Sequence, residues 1–203
     1  EGSPTLLYHK FEVARKIQKR SRNKCILLFI IIDPETRSYD LVDKTATPVI
    51  YNDVVKRALN TKKTRMVATF CTIEDYHTSV VLHDLNRNRL LVFDNLGEKS
   101  VLPRMALSIM KPDPLPRIED MSSCPLTKLN DKRSHCAWWV LSFFEYILNH
   151  PWGSIKGFQK FITKGTLIEN RAQVFIDKYK RKQKVNSVDN VTKKFAKAMK
   201  INL

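Results

Sequence analysis

The sequence predicts an α+β fold in which a central mixed or antiparallel sheet packs on one buried helix. Three observations carry that expectation. Between residues 26 and 94 the chain holds short, β-branched-rich apolar runs separated by turn formers, the pattern of paired strands. Residues 137–148, Ala-Trp-Trp-Val-Leu-Ser-Phe-Phe-Glu-Tyr-Ile-Leu, are apolar almost all round, which suits a helix covered on every side. With 203 residues and 43% apolar content, one domain over 1–203 can bury a sufficient core, and no second domain is expected.

The elements follow in order. A basic amphipathic helix is expected at about 7–22, then strands at 26–32 and 38–43 joined by Asp33-Pro34-Glu35-Thr36, then a short helix near 52–60. Strands at about 65–72, 77–83 and 89–94 come next. Ser79 to Leu82 and Leu90 to Phe93 flank the turn formers Asp84-Leu85-Asn86-Arg87-Asn88, so they read as an antiparallel hairpin. Residues 103–125 read as a proline-rich loop, long enough to wall a substrate cleft. The apolar helix then spans 136–148, with Ser134 as its cap and Pro151 as its stop. Helices at about 154–163, 168–182 and 189–200 complete the chain, and no internal repeat is present.

Candidate chemistry lies at the ends of these elements. His77 enters the first hairpin strand and Asp94 leaves the second, so an imidazole and a carboxylate 17 positions apart share one sheet edge. Cys136 opens the apolar helix, whose N-terminus favours thiolate. A cysteine before such a helix is most often a small core residue, and His77 or Asp94 alone would read as a structural histidine or the start of a turn. Together, in this order, they are the parts of a cysteine nucleophile system: the thiol attacks, the imidazole takes its proton, and the carboxylate orients the imidazole.

With these residues the chain resembles the adenain and ubiquitin-like-protein-protease group of cysteine peptidases, and most closely the adenovirus-type maturation protease. His77, Asp94 within Phe93-Asp94-Asn95-Leu96-Gly97, and Cys136 match that group's His, acidic residue and Cys. Asn149-His150-Pro151-Trp152 is similar to its helix exit, and residues 171–179 to its late amphipathic helix; the likeness covers roughly 65–180. It implies a papain-like arrangement with a central sheet on the nucleophile helix. Three departures stand out. The group's oxyanion-hole Gln, six residues before the Cys, is Asn130 here, an amide on a stem shorter by one methylene. Thr78 replaces the Trp after the His. Ala137 replaces a Gly after the Cys, and His135 precedes it, either as a second imidazole near the site or as a solvated loop side chain.

The mechanism expected from this set is acyl transfer to water. His77 draws the Cys136 proton, Asp94 orients His77, and the Cys136 backbone N–H and the Asn130 amide meet the oxyanion. No metal is required. Cys25, Cys71, Cys124 and Cys136 lack ligand spacing for zinc; Cys25 and Cys71 read as core thiols and Cys124, before Pro125, as a surface thiol. Few cysteines without framework spacing point to a reducing compartment.

Charge is uneven along the chain. Residues 1–25 carry 7 Lys/Arg against 2 Asp/Glu and residues 151–203 carry 13 against 3, so nearly all of the net +16 sits at the two ends. The blocks Arg15 to Arg22 and Lys178 to Lys184 therefore read as a polyanion surface, with Lys180, Arg181, Lys182 and Lys184 as the phosphate contacts. The resemblance adds DNA as an activating polyanion. No recognition-helix or zinc-finger signature supports reading of base sequence. No apolar stretch reaches membrane-spanning length, no charged region followed by a signal-like apolar one is seen, and Glu1-Gly2-Ser3-Pro4 reads as a remnant or a trimmed end.

The expectation is thus a monomeric cysteine endopeptidase that cleaves capsid or core precursors in a virion, or in the host cytoplasm or nucleus, with sequence-independent nucleic acid as a partner and no membrane. Three other readings share part of the pattern: a deubiquitinase or SUMO-type isopeptidase, an effector-type acetyltransferase that would need acetyl-CoA, and an inactive nucleic-acid-binding module.

Overall fold

The elements run α1 (Thr5–Arg20), β1 (Cys25–Asp33), β2 (Ser38–Asp43), α2 (Tyr51–Thr61), β3 (Met66–Ile73), β4 (His77–Asp84), β5 (Arg89–Phe93), α3 (Leu102–Met110), β6 (Arg117–Asp120), α4 (Cys136–Asn149) and α5 (Ile155–Lys164). The computed structural model describes residues 5–21, 24–33, 35–73, 77–95, 100–122 and 136–164. The six strands among the described residues join one mixed sheet in the order β2-β1-β3-β4-β5-β6. The pairs β1–β3 and β5–β6 are parallel, while β1–β2, β3–β4 and β4–β5 are antiparallel.

Alternation along the strands divides the core in two. Leu27 and Phe29 of β1, Phe70 of β3, Val80 and Leu82 of β4 and Phe93 of β5 pack with α1, α4 and α5 on one face. Leu28, Ile30, Val67, Val81, Leu90 and Val92 pack with α2 and α3 on the other. Burial on both faces explains why β1, Cys-Ile-Leu-Leu-Phe-Ile-Ile-Ile-Asp, is a continuous apolar run: an inner strand between two helical layers has no wet side. The parallel β1–β3 pair needs a crossover, and α2 lies on it. At the edge, β2 is mostly exposed and correspondingly polar.

The proline-rich stretch differs from its expected loop. Between residues 102 and 120 it holds α3 and the edge strand β6. Pro103 sits in the first turn of α3, where a missing N–H leaves no hydrogen bond unmade. Leu102, Ala106 and Met110, four residues apart, are the buried stripe of that helix. The later prolines, 112, 114 and 116, fall beyond its end and stop it. The remaining helices expected at 168–182 and 189–200 lie outside the described residues.

The direction of α4 matters most for the site. Its Phe143 stacks on Phe93 of β5 with ring centres 4.4 Å apart, and Phe144 meets Phe70 edge-on at 5.3 Å. Phe158 of α5 closes the cluster against both Phe93 and Phe143. Truncating Phe143 to Ala would empty this junction at a cost of about 3–5 kcal/mol. At the far end of α4, Ile147 to Asn149 line one cleft with Met66 and Asp84, the start of β3 and the end of β4, and the Pro151 carbonyl just beyond the helix accepts from Arg89 at the start of β5. The helix N-terminus therefore points the other way, toward the end of the sheet where β4 begins and β5 finishes.

Candidate active site

Two strand ends bring the candidate imidazole and carboxylate together. Val80 is paired with Phe93, so His77, three residues earlier on β4, extends about 10 Å past that level. Asp94 leaves β5 directly after Phe93 and reaches it. The His77 Nε2–H donates to the Asp94 carboxylate, at 2.8 Å from Oδ1 and 2.9 Å from Oδ2. The His77 side chain is 14% exposed and that of Asp94 is fully buried.

Neighbours fix both groups. The Ser100 hydroxyl donates to Asp94 Oδ2 at 2.6 Å and accepts from the Leu102 N–H at 3.3 Å, which ties the carboxylate to the start of α3. The Asp94 N–H donates to Ser122 Oγ at 3.0 Å, while the Met121 N–H donates to the Val92 carbonyl at 2.8 Å. On β4, Thr72 Oγ1 donates to the His77 carbonyl at 3.1 Å. A buried carboxylate held by a hydroxyl and an imidazole N–H can set the ring's tautomer and orientation. Ser100 and Ser122 escaped sequence reasoning, because nothing in their spacing marks them as partners of Asp94.

No model of a known protein family matches the chain, and no curated protein matches it.

The other expected residues fall as follows. Cys136 is the first residue of α4, seven residues before Phe143, so its backbone also lies about 10 Å beyond the Phe93–Phe143 contact, toward the His77–Asp94 end. The expected Cys136 side-chain contacts, Asn130, His135, Cys124 and the phosphate-binding residues Lys180, Arg181, Lys182 and Lys184 lie outside the described residues. Cys25 and Cys71 are buried free thiols, as their strand positions predict. Burial pushes both thiols up, and the negative charge of Asp94 adds to the effect on Cys71, so neither is poised as a thiolate. Among the described residues no group of three His, Cys, Asp or Glu side chains is placed to hold a metal ion, and no helix is long and apolar enough to cross a membrane.

Proposed function

We propose that the protein is a cysteine endopeptidase with a papain-like arrangement, in which Cys136 is the nucleophile, His77 its base and Asp94 the group that orients His77. One observation carries the reading: the buried Asp94 carboxylate grips His77 Nε2 at the end of the sheet toward which the N-terminus of α4 is directed. With Nε2 committed to Asp94, Nδ1 is the ring nitrogen that exchanges a proton with the thiol. The thiolate adds to a peptide carbonyl carbon, and the oxyanion is met by the Cys136 backbone N–H and the Asn130 amide. Collapse breaks the C–N bond, His77 returns the proton to the leaving amine, and water then hydrolyses the thioester by the same route in reverse.

The resemblance to adenain-like peptidases supplies the substrate class, capsid or core precursor proteins, and a site of action in a virion or in the host cytoplasm or nucleus. The basic blocks at the two ends, including Lys180, Arg181, Lys182 and Lys184, are proposed to bind nucleic acid through phosphates, with DNA as an activating polyanion for a monomeric enzyme. The test is cleavage profiling of a proteome-derived peptide library, with and without DNA, by wild type and by Cys136→Ala. The wild type is expected to generate a defined set of cuts and Cys136→Ala none while remaining folded. Cleavage by Cys136→Ala, or a requirement for acetyl-CoA with no cut peptides, would exclude the mechanism.

A further inference from the structure

The end of the sheet remote from His77 carries a tryptophan that folding leaves in water. Trp152 is 84% exposed, although indole is among the largest apolar groups a chain can bury. Its position is nonetheless built. The Arg87 guanidinium lies 3.2 Å from the centre of the Trp152 ring, close enough for a cation–π contact. Arg87 and Arg89 both donate to the Pro151 carbonyl and both pair with Asp84, so the residue before the tryptophan is clamped to the β4–β5 turn. On its other side the Gly153 N–H donates to the His150 carbonyl at 2.7 Å. A Cβ at Gly153 would stand 2.6 Å from a Tyr146 ring carbon, so the chain can pass there only as glycine.

Beside this platform opens a cleft of about 580 Å³ whose lining includes Arg20, Lys24, Arg65 and Arg87. Among the described residues of that lining Asp84 is the one carboxylate, and the two guanidiniums already neutralise it. The cleft is therefore cationic with a presented aromatic ring. Cations alone suit any polyanion; a fixed ring with an open face suits a flat, unpaired base.

We propose that this cleft binds single-stranded nucleic acid, an unpaired base stacking on the face of Trp152 away from Arg87 while backbone phosphates meet Lys24 and Arg65. A duplex keeps its bases stacked inside and offers the indole nothing. The chain's own residues 165–203 carry 10 Lys/Arg against 3 Asp/Glu, so their charge has the wrong sign for the cleft. Asp84 and His77 are seven positions apart along β4, about 23 Å of strand. The site is thus distinct from the proposed catalytic centre and does not depend on it.

The experiment measures anisotropy of the full chain with a labelled, unstructured oligothymidylate and with a duplex of equal length, over a salt series. Trp152→Ala is expected to weaken single-strand binding about tenfold or more and leave duplex binding unchanged, with Trp152→Phe retaining most of the affinity. Lys24→Glu with Arg65→Glu should lower affinity and reduce the salt slope by about one per lost phosphate contact. Reversing Lys180, Arg181, Lys182 and Lys184 to Glu should instead weaken both ligands alike. Three results would overturn the proposal: a Trp152→Ala protein that binds oligothymidylate as tightly as wild type, an equal loss on single strand and duplex, or displacement of the oligonucleotide by polyglutamate at equal charge, which would identify an acidic protein surface as the partner. Because Trp152→Phe keeps the ring over Arg87, it reads out stacking even if Trp152→Ala disturbs the turn.

Discussion

His77 and His83 stand six positions apart on the same strand and have opposite surroundings. His77, at the strand's start, is partly exposed and shares its Nε2 proton with a buried carboxylate. His83, near its end, is buried, with Nδ1 2.9 Å from the Tyr51 hydroxyl and Nε2 3.4 Å from the Asn88 side-chain oxygen. A carboxylate stabilises an imidazolium as it forms, whereas a phenol and an amide leave the neutral ring satisfied. Burial pushes the His83 pKa down, against smaller opposing effects of Asn88 and the Asp84 charge. The two aspartates repeat the contrast: Asp84 is consumed by Arg87 and Arg89, while Asp94 turns toward an imidazole and a hydroxyl. Residue type says little here. The partner sets the difference between the two ends.

The contrast is broken most severely at Asp94. Asp94→Ala removes the acceptor that holds the His77 Nε2–H and so frees the ring's tautomer and orientation. Peptide cleavage is expected to fall by about two to four orders of magnitude in kcat, with little change in KM, measured by steady-state kinetics on a peptide from the library. A near-wild-type kcat would remove Asp94 from the mechanism.

Asn130→Ala should have the next largest effect. If Asn130 is the oxyanion donor proposed above, its loss is expected to lower kcat by about one to three orders of magnitude without weakening substrate binding, and Asn130→Gln should restore turnover. A neutral Asn130→Ala assigns the donor to another residue of the segment between Cys124 and His135.

At the other end the expected effect is on stability alone. His83 has a folded pKa below its unfolded value near 6.5, so the unfolded chain binds the extra proton. Stability is therefore full above about pH 6.5 and declines as pH falls below it. His83→Gln should flatten that part of the stability curve, measured by urea unfolding from pH 5 to 8, and should leave kcat unchanged. Tyr51→Phe removes the phenol's hydrogen bond and is expected to cost about 1 kcal/mol. A large loss of cleavage in either variant would mean that the two ends are coupled.

How far this contrast is legible beforehand depends on range. The β4–β5 hairpin is local: two apolar runs around Asp84 to Asn88 place His77 beside Asp94 with no tertiary information, and the structure has that contact. The apolar run after Cys136 likewise announces a helix covered by the sheet. By contrast α3 was hidden because prolines read as breaks, although Pro103 stands at the one part of a helix that tolerates it. The pairing of His83 with Tyr51 joins residues 32 positions apart on different elements, and no periodicity encodes it. The same holds for Ser100 and Ser122 around Asp94, and for the clamp that presents Trp152, which needs Arg87, Arg89 and Pro151 to meet in space.

The central claim, that His77 activates Cys136, can be tested without any substrate. The measurement is the alkylation rate of Cys136 by iodoacetamide against pH, followed by peptide mass spectrometry in wild type and His77→Gln. In the wild type Cys136 should react faster than the buried Cys25 and Cys71, and its rate should hold well below the free-thiol range near pH 8.5. In His77→Gln the midpoint should move up toward that value. A Cys136 that titrates like an ordinary thiol in both proteins, or that reacts no faster than Cys25 and Cys71, would contradict the account.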